Sequence, residues 1–334
     1  MHIKHWLVLL GACASAASAW AQEPIVIKFS HVVATDTPKG KAAEYFKKLA
    51  EERTQGRVKV QVYPNSQLYK DKEELEALQM GAVQMLAPTF SKFGPLGVRE
   101  FEAFDLPYLF ADMDEARKVT QGPVGQGLLA KLSSKGVTGL AFWDNAFKQM
   151  TANKPLRKPE DFKGMKIRIQ SSKVMDAQIR ALGANPQVLA FSEVYQALQT
   201  GVVDGQDNPY SNIDTQKFYE VQKYLMVSDH GYHAYVLIAN KKFWDAMPAD
   251  IRTIIDGVTK DTTAYFNSVA LKDDQDALAH IKASGKTQIV VLSKDEKRAL
   301  KKAMIGVYKD VEPRVGKAVL EAIYQETGTH PDKL

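Results

Sequence analysis

The sequence is poor in the residues that build covalent, metal and cofactor sites. Its 334 residues include a single cysteine, Cys13, so neither a disulfide framework nor a cysteine-rich metal site can form within the chain. The HExxH, GxSxG, Walker and dinucleotide GxGxxG patterns, each of which carries a specific chemistry, do not occur in it. We therefore expect no enzyme activity, no catalytic residues, no bound metal and no cofactor.

Charge of one sign is not concentrated anywhere along the chain. The 44 basic and 39 acidic residues give a net charge of +5, and no long Lys/Arg run of the kind that binds nucleic acid is present. Hydrophobic residues make up 45% and charged residues 25% of the sequence, as in an ordinary globular protein long enough for two domains. The small basic excess is compatible with a small acidic ligand, and we expect no nucleic-acid partner.

Long apolar runs are also missing, and the one N-terminal apolar stretch predicts secretion. Lys4 precedes a stretch of apolar and small residues from position 6 to about 17, and the tripeptide AWA that ends at Ala21 is an A-x-A cleavage pattern. The stretch is shorter than the ~20 residues that a membrane-spanning helix needs. Residues 1–21 are therefore predicted to be a signal peptide, which places the mature protein in the periplasm.

A competing pattern surrounds the single cysteine. The tetrapeptide LGAC, which ends at Cys13, resembles a bacterial lipoprotein box in which the cysteine becomes lipidated. Cleavage there would leave a very short leader, and a good A-x-A site follows it. We expect cleavage after Ala21, which removes Cys13 from the mature protein, and retain lipid anchoring as the alternative.

Strand-like and helix-like segments alternate along the mature chain, as in α/β units with largely parallel sheets. The pattern predicts strands at 25–32, 58–64, 82–89, 137–145 and 147–154, and helices at 37–56, 70–81, 112–120 and 122–135.

A weak internal repeat indicates that this architecture occurs twice. The segment ALQMGAVQM begins at Ala77, and ALQTGVVDG begins at Ala197. Both are typical of a helix end, a glycine and then a strand, with Gly81 and Gly201 suited to the left-handed position that ends a helix. Chance similarity over nine residues is the alternative to two related α/β domains facing each other.

A long helical pattern follows the second strand–helix region. It runs from Pro248 to about Ser284 with Gly257 as its only break, and such a helix would span ~50 Å at 1.5 Å per residue. That length exceeds one small domain, so a helix that bridges two domains is expected, with two more amphipathic helices in 294–326. The predicted domains are 22–146 plus about 230–273, and 147–229 plus about 274–334.

Arg168 is the strongest candidate for a ligand-binding residue. In MKIRIQSS it stands near the carboxyl end of a strand, just before a helix that Ser171 and Ser172 can cap. Ligands of open α/β sheets bind at this edge, and helix N-termini favour anions. A guanidinium adds a planar fork that matches a carboxylate. The alternative, that an internal Asp or Glu pairs with Arg168 or that it lies on an exposed edge, stays open on the pattern alone.

Two lysines and two histidines are further candidates. Lys148 interrupts the apolar segment AFKQMT, and Lys39 lies in the first turn of the first helix; taken singly, both are typical of solvated side chains. His230 and His233 are three apart on a predicted strand, so they point to opposite faces. This favours polar lining or a buried hydrogen bond over a metal site.

Several motifs together resemble one known family. FSEVYQALQTGVVDGQDNP followed by QKFYEVQKYL resembles the signature of the periplasmic solute-binding proteins of TRAP transporters, the DctP-like family. KFSHVVATDTPKGKAAEYF, YPNSQL and KGMKIRIQSS extend the resemblance, in order, over nearly the whole mature chain. It implies the α/β two-domain periplasmic binding protein fold, with a central cleft, a long helix across both domains, and membrane permease subunits as partners.

The resemblance also implies a ligand site. The family's strand arginine, which clamps an organic acid, matches Arg168, its packing aromatic residue matches Phe191 and its cleft asparagine matches Asn208. A second basic position, arginine in many members, is Lys148 here, which replaces a bidentate fork by a point charge. Thr89 stands where sialic-acid binders carry glutamate, which counts against that ligand.

The segments HVVATDTPKGKAAEYF and FWDNAFKQM look most like members that bind C4-dicarboxylates such as malate, succinate and fumarate. Two carboxylates need two separated cationic poles, which Arg168 at one end and Lys148 with Lys39 at the other would supply. The alternatives are a receptor for another organic acid (a monocarboxylate, keto acid, aromatic or sugar acid) or a secreted enzyme acting on such acids. Further candidate lining residues are Gln170, Ser171, Tyr210 and His233.

Overall fold

The computed structural model describes residues 23–328. The predicted signal peptide and Cys13 lie outside the described residues. Nine strands are present in that range: β1 Ile25–Ser30, β2 Val58–Tyr63, β3 Met85–Leu86, β4 Val137–Ala152, β5 Lys166–Ile169, β6 Asn185–Val188, β7 Gly205–Asn208, β8 Tyr224–Asn240 and β9 Gln288–Val291.

Twelve α-helices accompany these strands in the described part of the chain. They are α1 Pro38–Arg53, α2 Glu74–Gln79, α3 Met113–Gln121, α4 Pro123–Lys131, α5 Lys173–Ala181, α6 Val194–Gln199, α7 Tyr210–Thr215, α8 Lys241–Ala246, α9 Ala249–Ser284, α10 Lys294–Met304, α11 Gly306–Val315 and α12 Lys317–Thr327. None of the helices within residues 23–328 has the length and apolar character needed to cross a membrane.

The strands form one mixed sheet with two long antiparallel strands at its centre. Its order is β2-β1-β3-β8-β4-β7-β5-β6, and β9 adds to β8. The outer strands pair in parallel, as the strand–helix alternation predicts, whereas β4 and β8 run antiparallel to each other. The prediction of separate strands at 137–145 and 147–154 is wrong, because register shifts at Asp144/Ala146 and Lys148/Met150 interrupt the pairing without ending β4.

The two long strands belong to two lobes. The carboxyl-terminal half of β8 pairs with β3 at Ile238 and Ala239, and so extends the sheet of β1–β3. The amino-terminal half of β8 pairs with β9 through 224–227, while β4 pairs with β7 through 149–152. The first lobe therefore contains β1–β3 and one half of each long strand, and the second lobe contains β5–β7, β9 and the other halves.

Helix α9 packs against both lobes, as predicted for the segment 248–284. Its first part buries Ile255 and Phe266 in the core of the first lobe. Its last part buries Ala277 and Ile281 in a second-lobe core. Gly257, the exception in the helical pattern, lies inside this helix, which is continuous over 36 residues.

Helix ends follow the glycine pattern, and the chain after α9 differs from the prediction. Gly81 and Gly201 follow α2 and α6 with φ of 78° and 72°, which confirms the left-handed positions. The segment 294–326 holds three helices instead of two. The predicted boundaries assign α11 and α12 to the second domain, yet their apolar residues, such as Leu320, share a core with Phe101 of the first lobe. The division into domains at fixed boundaries stays a prediction.

Candidate functional site

A cavity lies between the two lobes and is lined by both. Its empty volume is about 320 Å³, the opening to solvent included. Six residues that the sequence nominates lie on its wall: Lys39, Thr89, Gln170, Phe191, Asn208 and His233. These residues are far apart in the chain. The fold brings them together near the carboxyl ends of strands, where α/β sheets place their ligands.

Arg168 lies behind this wall, on β5, and is fully buried. Its Nε and Nη2 donate to the carbonyl of Leu189 at 3.1 and 2.9 Å. Nη2 is also 4.0 Å from Oδ2 of Asp71. Nη1 is buried and has no hydrogen-bond partner within residues 23–328. The guanidinium thus has an internal carboxylate nearby and keeps one donor nitrogen unused.

Lys148 is the second buried cation near the cavity. It extends from the irregular part of β4 and is 5% exposed, with Nζ 3.4 Å from Oδ2 of Asp207. Burial acts to raise the pKa of Asp207, but Lys148 and the hydrogen bond with His230 hold that pKa below its usual value. Asp207 is therefore an anion, and the expectation that Lys148 is solvated is wrong.

Lys39 is held in the cavity wall by the start of α1. Thr37 caps this helix by accepting a hydrogen bond from the Gly40 N–H at 3.1 Å. The Lys39 Nζ donates to the Ala87 carbonyl at 3.0 Å and lies 3.9 Å from the centre of the Tyr235 ring, a cation–π contact. Burial lowers the pKa of Lys39 to about 8 against the raising effect of Glu74. The solvated interpretation is wrong here as well.

Three charged residues of the wall are not among those predicted from the sequence: Lys92, Asp71 and Glu74. Lys92 Nζ is 2.5 Å from Oδ2 of Asp71, and Oδ1 of Asp71 accepts from the Phe191 N–H at 3.0 Å. Burial raises the pKa of Glu74 to about 7. Lys92 carried a signal like that of Arg168, since it interrupts the apolar segment APTFSKFGPL. Asp71 and Glu74 lie in the charged run KDKEELE, which is typical of an exposed helix.

Hydrogen bonds between polar side chains cross from one lobe to the other. Gln170 Oε1 accepts from Thr89 Oγ1 at 3.2 Å and from Ser91 Oγ at 2.6 Å. Asn208 donates to Gln206 at 2.6 Å and accepts from Asn212 at 3.0 Å, which fixes its amide on the wall. The lobes are thus joined by direct polar contacts beside the cavity.

Ser171 and Tyr210 do not lie on the wall of this cavity. Ser171 lines a separate cavity with Glu102 and Arg314. Tyr210 is buried at the start of α7 in the apolar core that contains Phe191. His233 lies edge-on to Tyr235, and burial lowers its pKa well below the usual value, so the ring is neutral.

His230 lies in a network of buried hydrogen bonds. His230 shares a hydrogen bond of 3.2 Å with Asp207 and one of 2.8 Å with Ser228. Over residues 23–328, no group of three or more His, Cys, Asp or Glu side chains is arranged to hold a metal ion.

A two-lobed α/β fold with strands and a helix running through both lobes, and with buried lysines and an arginine around the interlobe cavity, defines a binding protein for a small anion. Comparison with known sequences identifies the family within this class. The model of the family described as bacterial extracellular solute-binding protein, family 7, matches residues 29–314. The chain belongs to this family.

Relatives of known name are similar over almost the whole chain. The C4-dicarboxylate-binding periplasmic protein DctP of Rhodobacter capsulatus is 58% identical over 305 residues, which cover 91% of this chain and 92% of the relative. A TRAP periplasmic solute-binding protein of Shewanella oneidensis with bound succinate has a TM-score of 0.89 at 43% identity, covering 91% of this chain and 99% of that one. A Pseudomonas aeruginosa protein with bound L-malate has a TM-score of 0.84 at 42% identity, covering 86% and 100%.

Proposed function

We propose that the protein is the extracytoplasmic solute receptor of a TRAP transporter and binds a C4-dicarboxylate such as succinate, malate or fumarate. The observation that carries the proposal is a buried excess of positive charge around the interlobe cavity. Four cations, Lys39, Lys92, Lys148 and Arg168, are all buried. The names and bound ligands of the similar proteins support the same class of ligand.

The charge balance favours an anionic ligand. Asp71 and Asp207 are held ionised, since the pKa of each lies below its usual value although burial opposes this. Burial raises the pKa of Glu74 to about 7, so this carboxyl is partly protonated near neutral pH. The four cations thus exceed the fully ionised carboxylates around them, although Asp105 near Lys148, with a pKa of about 7, reduces the surplus, and an anionic ligand compensates what remains. Uncompensated charges are costly in a buried site.

Binding is coupled to the relative position of the lobes. The ligand is contacted by groups of both lobes, so closure removes water and strengthens each charged contact. A ligand shifts the balance between open and closed forms only by its different affinity for the two. The closed, loaded receptor then delivers the acid to the permease subunits in the membrane.

We also propose that the protein is periplasmic and that it does not convert its ligand. The family consists of extracellular solute-binding proteins, and the signal peptide predicted at residues 1–21 fits export to the periplasm. We propose that the acid is released unchanged. Incubation of the protein with malate, followed by analysis of the solution for new products, checks this, and product formation would contradict it.

Isothermal titration calorimetry of the mature protein with succinate, malate and fumarate tests the ligand class. Butyrate, pyruvate, orotate and galactonate serve as comparison ligands. We expect micromolar or tighter binding, about −8 kcal/mol, for at least one C4-dicarboxylate and much weaker binding of the other acids. Preferred binding of a monocarboxylate or sugar acid would contradict the proposal.

A further inference from the structure

Lys92 is fixed in the cavity wall by a short turn between two aromatic anchors. Thr89 and Lys92 lie at the two ends of the 3₁₀ turn Phe90–Lys92, three residues apart. Side chains at this spacing in a 3₁₀ helix lie above one another, and both line the cavity. Phe90 and Phe93 are fully buried, with Phe93 4.5 Å from the Phe101 ring centre. The backbone that carries Lys92 is therefore anchored in the core of the first lobe.

Asp71 holds Lys92 from one side and leaves donors free. Among residues 23–328, the hydrogen bond found for the Lys92 ammonium is the one to Asp71 at 2.5 Å. An ammonium group carries three N–H donors, so two of them remain for another acceptor. Lys92 lines the cavity between the lobes, so these donors lie beside the place where a ligand would be held.

The same carboxylate faces Arg168 across the interlobe boundary. Oδ2 of Asp71 is 2.5 Å from Lys92 and 4.0 Å from Nη2 of Arg168, while its Oδ1 accepts from the Phe191 N–H. Lys92 of the first lobe and Arg168 of the second thus both lie near the same carboxylate oxygen. A ligand carboxylate would complete this arrangement, because Arg168 Nη1 also has no hydrogen-bond partner in the described residues.

We propose that Lys92 is a specificity-determining residue that donates directly to a carboxylate of the ligand, and that Asp71 is the residue that positions it. Lys92 then favours doubly charged over singly charged acids, because it adds a cation that a neutral end of the ligand cannot use. The inference rests on the proposed function, and it adds Lys92 to the cations that the sequence nominates for the ligand.

The test compares succinate with succinamate, its monoamide, which has nearly the same shape and one charge less. Calorimetry gives the ratio of the two affinities for the wild-type protein, Lys92→Met, Asp71→Asn and the double variant. The double variant removes one positive and one negative charge, so the net charge of the cavity is unchanged. Lys131→Met is the control, because Lys131 pairs with Glu100 on the exposed surface.

We expect the succinate-to-succinamate ratio to fall by about tenfold or more in Lys92→Met and in the double variant. The control should retain the ratio, whereas Asp71→Asn, which keeps Lys92 but no longer holds it in position, should lower the ratio by less than Lys92→Met does. Thermal melting identifies folded variants, and the double variant carries the test if the single one, with its unpaired buried carboxylate, does not fold.

Three outcomes would overturn the inference. An unchanged ratio in a folded double variant would show that Lys92 has only a structural partner role. Equal losses of affinity for succinate and succinamate would also show that Lys92 has only a structural role. A ratio that falls in Lys39→Met but not in the Lys92 variants would assign the selectivity to Lys39. Failure of the wild-type protein to bind any C4-dicarboxylate is a separate result, which would contradict the proposed function itself.

Discussion

At the scale of single residues, Arg168 combines complete burial with an incomplete set of partners. Two of its nitrogens share the Leu189 carbonyl, and Nη1 has no partner in the described residues. A guanidinium so placed is oriented before the ligand arrives, which reduces the entropy lost on binding. In the proposed site, the arginine and its two bonds to Leu189 would therefore act as a rigid clamp.

Replacement of Arg168 should therefore weaken ligand binding strongly. We expect Arg168→Ala to lose about 2–5 kcal/mol of succinate binding free energy, as for one partner of a buried charge pair. Arg168→Lys keeps the charge without the planar fork, so its succinate affinity should lie between those of the wild type and Arg168→Ala. Titration calorimetry measures both. Arg180→Ala is the control, because Arg180 lies exposed on α5 and pairs with Asp176; equal losses in Arg168→Ala and the control would contradict the clamp.

A second prediction at this scale concerns the buried carboxyl of Asp105. Burial raises its pKa from 3.8 to about 7, although the Lys148 charge opposes the shift. The folded protein therefore holds this proton more tightly than the unfolded chain. The stabilisation from this group is fully present below about pH 4 and is lost as the pH rises through about 7.

Asp105→Asn removes this pH dependence. We expect the melting temperature of the variant, relative to wild type, to increase between pH 4 and pH 8. Asp295→Asn serves as a surface control, since the Asp295 side chain is 86% exposed. A difference between Asp105→Asn and wild type that stays constant over this range would contradict the prediction.

The sequence identifies Arg168 and Lys148, which interrupt an apolar pattern, but not Lys92, which does the same, nor the residues inside a charged run. Arg168 and Lys148 each stand among apolar neighbours, so their burial could be suspected from sequence. Asp71 and Glu74 lie in a run of seven residues with six charges, and nothing local distinguishes a charge that faces the cavity from one that faces water. Their role depends on the second lobe, which packs against them from distant parts of the chain.

At the scale of elements, helix α1 positions Lys39 through a close approach at its first turn. A Cβ added to Gly40 would lie 2.4 Å from the carbonyl oxygens of Ala34 and Thr35, closer than real Cβ contacts. The loop before the helix therefore packs directly on this glycine. Any side chain there must move the loop, the start of the helix, or both.

Gly40→Ala should therefore destabilise the protein and weaken succinate binding, because Lys39 is the residue directly before Gly40 in the helix. Gly257→Ala is the matched control, since a Cβ at Gly257 in α9 has open space around it. We expect the control to stabilise the protein by up to about 1 kcal/mol, the difference in helix propensity between the two residues. Urea unfolding and calorimetry measure both effects; a neutral Gly40→Ala would contradict the close approach.

Elements with a strong local pattern were predicted well, and those that depend on pairing were not. The bounds expected for α9 differ from those observed by about one residue, because its pattern continues over ten turns. The strand expected at 82–89 is only Met85–Leu86. Its apolar residues predict burial equally well in a strand or in the turns that follow, and only the position of β8 decides where pairing ends.

At the scale of the whole molecule, contact between the lobes depends on a few polar residues beside the cavity. Gln170 of the second lobe accepts from Thr89 and Ser91 of the first. At the rim, Lys70 pairs with Glu193 at 2.7 Å. The rim pair is exposed, and such pairs contribute only about 0–1 kcal/mol. The buried contact of Gln170 should therefore contribute more to closure.

Gln170→Ala should shift the ligand-free protein towards the open form. We expect a larger radius of gyration by small-angle X-ray scattering without ligand, and a return to the wild-type value with saturating succinate. Lys70→Met, which removes only the rim pair, should change the ligand-free value little. A Gln170→Ala protein as compact as wild type without ligand would contradict this role.

The course of β8 has a consequence for biosynthesis. Within residues 23–328, the strands β1–β3 join the rest of the sheet through the pairing of β3 with Ile238 and Ala239 of β8. The earlier half of the molecule therefore cannot complete its layer until about three quarters of the polypeptide exists, and contacts between such distant segments form slowly. A newly made chain thus stays without its final tertiary packing for most of its synthesis, which would suit export before folding by means of the predicted signal peptide.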